Sequence, residues 1–185
     1  MSRNLDDLPQ SGPLVILQDS DWTHVSDNLS YGGQRHLHHA YRIPIDCLHF
    51  NIENGRYRTK YELLRKANPG AVIDPTEERW KNEILSMLNG TFVDSTGSGV
   101  NTAEERGPFN ILRDDISERG QERPGIVLSN GGVMSGNRRL AVLLTLYRET
   151  GQSRFKYLEA FIIPETRQVT AADRWRLEMS AQYGQ

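Results

Sequence analysis

A glycine, an asparagine and two arginines, Gly136-Asn137-Arg138-Arg139, separate two patterns of different period and decide how this chain folds. Before them, the apolar runs Ile126-Val127-Leu128 and Val133-Met134-Ser135 flank Ser129-Asn130-Gly131-Gly132. An Asn-Gly pair supplies the positive φ angles of tight turns, so this stretch predicts a β-hairpin. After them comes a helical spacing that Gly151 ends, with its apolar face at Leu140, Leu143, Leu144 and Tyr147.

Both arginines stand in the first turn of that predicted helix. The helix dipole disfavours a cation there by about 0.3 kcal/mol or more, and a bound anion would reverse that effect. Free backbone N–H groups, a glycine that permits close approach and two guanidinium groups together suit a phosphate. The alternative is that Arg138 and Arg139 are solvated, or are paired with Asp114, Asp115 or Glu149.

The order of elements around this box resembles the ParB/sulfiredoxin-like superfamily. Residues 113–128 resemble its helix-glycine-proline-strand run, and residues 136–141 resemble its Gly-Glu-Arg-Arg box. Upstream, residues 43–56 are similar to its opening strand and Asn-x-x-Arg region. The resemblance implies an α/β (α+β) fold, a small mixed sheet with three to four helices, over residues 41–164.

In that superfamily the box sits at a strand-to-helix junction and contacts the phosphates of a nucleotide, which in ParB proper is CTP with magnesium. The resemblance therefore implies phosphate binding by Gly136, Asn137, Arg138 and Arg139, with Mg²⁺ and a triphosphate such as CTP or ATP as ligands. Asn137 stands where ParB carries a glutamate, so an amide replaces a carboxylate. A sulfiredoxin activity does not fit, because the box contains no cysteine; we expect Cys47 to be structural.

Two further segments carry candidate site residues. Glu53 and Arg56 flank Gly55, so a carboxylate beside an arginine could orient a nucleotide, hold a metal or act as a catalytic base, unless the segment is a solvated loop. Residues 165–168 partly resemble the Glu-Asn-x-Gln-Arg stretch that follows the last ParB strand. That resemblance implies a metal ligand at Glu165 and a nucleotide contact at Gln168, unless these residues form a polar linker.

Composition limits the classes of protein. At 185 residues the chain suits one domain with a core of its own. A formal charge of -2 and a pI near 6.2 exclude a globally basic surface, so any affinity for nucleic acid must be local. One cysteine rules out an internal disulfide, and no apolar run approaches a membrane span. We therefore expect a cytoplasmic protein that does not contact a membrane.

The remaining pattern predicts the organisation of the chain. Residues 1–40 are expected to form a partly ordered arm, and residues 41–47 a half-buried strand in which Pro44 indicates either an edge position or a strand end. A helix is predicted at 75–89, with Asp74 as its cap and Glu77 completing a capping box. Residues 91–107 are predicted to be a flexible loop, of a length that is often functional. Further elements are a short helix that Gly120 stops, a strand at 155–163, and a last helix, within residues 165–185, that opens at Thr170 and leads towards a missing domain.

Two other patterns suggest binding sites. His36, His38 and His39, with His49 nearby, have the ligand type of zinc, copper or nickel but lack a second ligand cluster. A second pattern interleaves basic and aromatic residues, as in a nucleic-acid-binding surface or a solvated amphipathic helix after Tyr57; its members are Arg56, Tyr57, Arg58, Lys60, Tyr61, Arg65 and Lys66.

Three functions follow from these patterns, and we rank them. The first is a nucleotide-binding domain that acts as a switch or an NTPase in DNA partition, phage or defence systems. The second is a DNA-binding protein or a metal-dependent nuclease, in which Glu53 with Asp114 or Asp115 would hold Mg²⁺. The third is a non-catalytic module whose arginines pair with an acidic partner protein. The sequence leaves the oligomeric state open.

Overall fold

The computed structural model describes residues 8–9, 11–52, 58–93, 102–163 and 169–183. The strands found there are β1 (Trp22–Tyr31), β2 (Gln34–Pro44), β3 (His49–Phe50), β4 (Gly125–Leu128), β5 (Gly132–Ser135) and β6 (Tyr157–Ile163). The helices are α1 (Arg58–Ala67), α2 (Glu78–Leu88), α3 (Thr102–Arg119), α4 (Asn137–Thr150) and α5 (Ala171–Tyr183). This content confirms the predicted mixed α/β class, with more helices than the three to four expected.

The chain divides into two compact units that interleave along the sequence. The first unit comprises Met1–Leu48, Gln121–Gly136 and Tyr157–Gln185. The second comprises His49–Gly120 and Asn137–Lys156. Each unit therefore contains segments from distant parts of the chain, which the single-domain expectation did not predict.

A mixed sheet forms the first unit, with neighbouring strands in the order β1-β2-β6-β4-β5. β2 pairs antiparallel with β1 and β6, β4 runs parallel to β6, and β5 returns antiparallel to β4. One face of the sheet carries the buried cluster, to which α5 contributes Leu177; the other members are Leu29, Tyr31, Ala40, Ile126, Met134, Phe161 and Ile163. Apolar alternation on the strands thus accounts for the core of this unit.

The expectation of an N-terminal arm over residues 1–40 is wrong for most of that segment. Residues 22–31 and 34–40 lie in β1 and β2, joined by Gly32 and Gly33, which both have positive φ angles. Polar residues dominate because five consecutive positions of β1 are exposed, as in a strand at a sheet edge. The predicted strand end at Pro44 is confirmed, but the strand begins at Gln34 instead of at residue 41.

The β4–β5 hairpin is present, although its turn differs from the prediction. Only Gly131 has a positive φ angle, of 87°, and Asn130 does not. The Gly131 N–H donates to the Leu128 carbonyl at 2.9 Å, and the Asn130 side chain accepts from the Gly132 N–H at 3.0 Å. Asn130 therefore stabilises the turn through its side chain, and Gly131 is the single residue of the turn with a positive φ angle.

The helix predicted at 75–89 exists but begins later. Asp74 accepts hydrogen bonds from the backbone and the hydroxyl of Thr76, at 2.9 and 2.6 Å, which forms a separate turn. α2 then starts at Glu78, and its N-cap residue Glu77 makes no side-chain cap. Local side-chain bonding thus competed with the predicted capping box. The apolar side chains Trp80, Ile84, Met87 and Leu88 of α2 are all buried.

α3 begins inside the segment 91–107 that was predicted to be a loop. Residues 102–107 already belong to this helix, which continues through Gly107 and Pro108 and ends at Gly120 as predicted. Residues 94–101 lie outside the described part of the chain. The prediction of a functional loop there remains untested.

α4 and α5 follow their sequence signals. Leu140, Leu143 and Leu144 of α4 are buried, and the helix ends where Gly151 donates its N–H to the Tyr147 carbonyl at 2.8 Å. In α5 Trp175 is 63% exposed and does not lie on the buried face.

Among the described helices, none combines the length and apolar character needed to cross a bilayer.

Candidate functional site

The arginine box lies at a strand-to-helix junction, as the pattern predicted. β5 ends at Ser135, Gly136 adopts a φ of 109°, and α4 starts at Asn137. This φ lies in the region that favours glycine, so the sharp change of direction depends on Gly136. The first turn of α4 contains Arg138 and Arg139, both half-buried, and no acidic residue.

Asn137 is the most buried residue of the box, with 3% of its surface exposed. Its Oδ1 accepts a hydrogen bond from the backbone N–H of Asn51 at 3.0 Å. The bond joins two segments of the second unit that are 86 positions apart, and both carry residues of the predicted site. Asn137 therefore positions the segment that begins at Asn51 against the start of α4. Sequence reasoning missed this role, because it treated the asparagine only as a substitute for a carboxylate.

A small cavity lies beside this hydrogen bond. It measures about 20 Å³, which is space for one water molecule. Asn51 and Asn137 supply its amide groups, and the other lining residues are Phe50, Ile52, Tyr61, Leu64, Ile84, Met87 and Leu88. In this conformation the cavity is too small for a nucleobase, so it packs the Asn51 segment and does not hold a ligand.

Four of the predicted site residues lie outside the described part of the chain. They are Glu53, Arg56, Glu165 and Gln168. The predicted roles of these residues in catalysis, metal binding and nucleotide binding stay predictions. Asn51, which begins the segment that contains Glu53 and Arg56, does lie against the box.

Two of the three carboxylates proposed as alternative partners of the box have contacts elsewhere in the second unit. Glu149 pairs with Arg113 at 2.7 Å, and Asp115 pairs with Arg119 at 3.3 Å. Within the described ranges, no group of three or more His, Cys, Asp or Glu side chains could hold a metal ion. The magnesium site predicted for Glu53 with Asp114 or Asp115 stays a prediction, because Glu53 lies outside the described residues.

Two of the three neighbouring histidines pack against Tyr31, and the third contacts Ser26. His36 stacks on Tyr31 at 4.4 Å between ring centroids, and the buried His38 shares a hydrogen bond of 2.7 Å with the Tyr31 hydroxyl. His39 hydrogen-bonds through Nδ1 to the Ser26 hydroxyl at 2.7 Å. Alternation along β2 places adjacent residues on opposite faces. These contacts do not gather the three imidazoles into one site.

His49 lies in the second unit, at the start of β3. Burial lowers the pKa of its imidazole, which favours the neutral form near pH 7. Asp74 acts in the opposite direction and raises this pKa, whereas Lys81 lowers it further. His49 is therefore a neutral, half-buried side chain that precedes the Asn51 segment.

Comparisons with known proteins identify no relative. No protein-family model matches the chain, and neither a curated protein nor a solved structure does. The geometry at the start of α4 and the resemblance of the box thus carry the functional argument.

Proposed function

We propose that the second unit binds the phosphate groups of a nucleoside triphosphate at the start of α4, in the manner of ParB-like domains. Arg138 and Arg139 bind the phosphate oxygens, and Gly136 lets the ligand approach the backbone. The observation that carries this proposal is the hydrogen bond from Asn51 to Asn137, because it joins the Asn51 segment to the arginine box.

Charge at the helix start supports the same function. Two cations in the first turn oppose the helix dipole, and that turn contains no acidic residue. A phosphate reverses this balance by adding negative charge where the N–H groups of the first turn converge. A triphosphate therefore gains from both the arginines and the dipole.

Asn137 places a neutral amide where the ParB box carries a glutamate, so this position supplies no carboxylate. Its oxygen accepts the Asn51 N–H, so the residue serves as a positioning residue. In the proposed site, Mg²⁺ reaches the protein with the triphosphate, and Glu165 and Glu53 are its candidate protein ligands. We propose nucleotide binding as a switch, with hydrolysis as the next activity to assay, in a cytoplasmic setting.

Isothermal titration calorimetry tests this proposal with CTP, ATP, GTP and ADP, each with and without magnesium. We expect an affinity on the order of micromolar for one nucleotide. The paired change Arg138→Ala with Arg139→Ala should weaken that binding roughly 100-fold, because each charge-assisted contact contributes about 1.5 kcal/mol or more.

A matched control removes two other arginines of the same unit, Arg119→Ala with Arg148→Ala. Both are surface residues that pair with carboxylates, so the loss of positive charge is the same. We expect nucleotide affinity to stay within about twofold of the parent chain. Absence of binding to all four nucleotides, or an equal loss in both variants, would contradict the proposed function.

A further inference from the structure

The sequence of α1 is rich in positive charge, in a chain that is acidic overall. Over ten residues the helix has four basic residues and one acidic residue, Glu62. Leu64 on the inner face is fully buried, whereas Arg65 and Lys66 are exposed. The helix thus separates an apolar interior from a basic surface.

Arg79 adds a third cation to the same surface. Its Nη2 donates to the Asn68 side chain at 3.1 Å, and its guanidinium group lies 4.4 Å from the centroid of the Trp80 ring. Asn68 in turn donates to the Leu64 carbonyl at 3.1 Å, near the end of α1. These contacts hold the Arg79 side chain beside the end of α1.

An open groove of about 640 Å³ runs along this surface. Arg65, Lys66 and Asn68 line it, together with Glu62 and with the loop that follows α1. Polar and apolar surface contribute about equally to its lining, and the two cations among its six lining residues suit an anionic, hydrated ligand.

Three cations around this groove have no acidic partner in the described part of the chain. Within the described ranges, no carboxylate forms an ion pair with Arg65, Lys66 or Arg79, whereas several arginines elsewhere do have one; they are Arg42, Arg113, Arg119, Arg148 and Arg176. Exposed cations without such a partner among the described residues, for example Arg35 and Lys156, also occur elsewhere, so this surface is marked by the gathering of three of them around one groove. Three unpaired cations around one groove leave a local field that attracts a polyanion.

We infer that this basic groove, lined by Arg65 and Lys66 and flanked by Arg79, binds the phosphate backbone of a nucleic acid. Spaced phosphates can meet several cations along one helix, and such contacts require no base recognition. The inner face of α1 packs into the core, so the helix does not offer an apolar face to a lipid bilayer. The groove and the arginine box consist of different residues, and this inference does not depend on nucleotide binding at the box.

Fluorescence anisotropy with a labelled DNA duplex and a labelled single strand tests the inference at low salt, near 50 mM. We expect binding to at least one of them and a tenfold or greater loss in Arg65→Glu with Lys66→Glu. The dependence of log K on log salt should become shallower by about two units, because each phosphate contact contributes about 0.9 for duplex DNA. Arg79→Gln should weaken binding by a smaller factor.

The control reverses the same number of charges away from the groove, in Arg35→Glu with Lys156→Glu, both exposed residues. Its affinity should remain within about threefold of the parent chain, as a general charge effect would allow. Equal losses in the two double variants would overturn the inference. So would an absence of binding to both nucleic acids, including the case in which the chain binds phosphatidylserine vesicles instead. The nucleotide titration uses Arg138 and Arg139, so failure of one proposal does not imply failure of the other.

Discussion

The starts of α4 and α5 differ in the charge and the hydrogen bonding of their first turns. At α5, Thr170 and Asp173 form a reciprocal capping box: the Thr170 hydroxyl accepts the Asp173 N–H at 3.1 Å, and the Asp173 carboxylate accepts the Thr170 N–H at 3.1 Å. At α4, the first turn holds Arg138 and Arg139 and no acid, and the Asn137 side chain is bonded to Asn51.

This difference separates a helix start that is capped by its own carboxylate from one whose first turn contains no acidic residue. An internal carboxylate already compensates the dipole of α5, so an external anion would gain little there. The first turn of α4 contains no such carboxylate. We therefore expect the two helices to respond differently to mutation, to nucleotide and to acid.

The largest expected effect concerns what holds α4 in place. Leu140 is fully buried, and Leu140→Ala should lower the free energy of unfolding by about 2–5 kcal/mol, because a cavity replaces the side chain. Urea unfolding followed by circular dichroism measures this loss. Ile111→Ala on α3 is the control; its side chain is 72% exposed, and the change should stay within about 0.5 kcal/mol. Similar losses in both variants would show that buried contacts do not anchor α4.

A ligand-linked gain in stability should come next in size. At about 100 times its Kd, the nucleotide selected by calorimetry should raise the free energy of unfolding by about 2.7 kcal/mol. At the same nucleotide concentration, Arg138→Ala with Arg139→Ala should reduce that gain to about 0.4 kcal/mol, whereas Thr170→Ala should retain it in full. Thermal unfolding with and without nucleotide supplies the measurement. If the Arg138 and Arg139 variant gains as much as the parent chain, the ligand binds elsewhere.

Loss of the α5 cap should have a smaller effect. Thr170→Ala removes the hydroxyl that accepts the Asp173 N–H and should cost about 1 kcal/mol of stability. Thr170→Ser keeps a hydroxyl at the same place and should recover most of that loss. Urea unfolding distinguishes the two variants, and equal stability of Ala and Ser at this position would exclude a capping role.

The smallest expected effect is the dependence of the free energy of unfolding on acid pH, which should depend on the same α5 cap. Hydrogen bonds from the Thr170 side chain and backbone lower the pKa of Asp173 below its ordinary value of 3.8. The stabilisation is thus complete above that value and is lost as the pH falls through the lowered pKa. Unfolding curves measured between about pH 2 and pH 7 should show a shallower acid limb for Asp173→Asn. An acid limb identical to that of the parent chain would contradict this linkage. Asp74→Asn offers a comparison in the second unit, since bonds from Thr76 lower that pKa too.

The sequence predicted α4 and the β4–β5 hairpin because their signals are local. Leucines at helical spacing and a terminal Gly151 define α4, and a glycine-containing turn defines the hairpin. The start of α2 was mispredicted because the Asp74 side chain bonds to Thr76, which favours a turn over a helix cap. Both outcomes depend on neighbours within a few residues.

Features that depend on distant contacts were beyond sequence reasoning. β1 is a mostly exposed strand with His, Ser and Asp side chains, so its alternation is hidden and the segment resembles an arm. Arg138 and Arg139 were predicted at a helix start, and the structure has them there. Their link to Asn51 was not predictable, because nothing in the pattern of either segment specifies a hydrogen bond to the other.

Gly131 lies against the backbone carbonyl of Cys47 and against Pro13, so any side chain at this turn would collide with the main chain and not with a movable neighbour. A substitution at Gly131 thus requires a change in the path of residues 45–47 as well. In a search for distant relatives, a glycine at this turn, paired with a short segment after β2, would be a more durable marker of common ancestry than the arginines. The residues of a ligand site can change when the ligand changes, whereas the close approach of the Gly131 and Cys47 backbones leaves no space for a side chain.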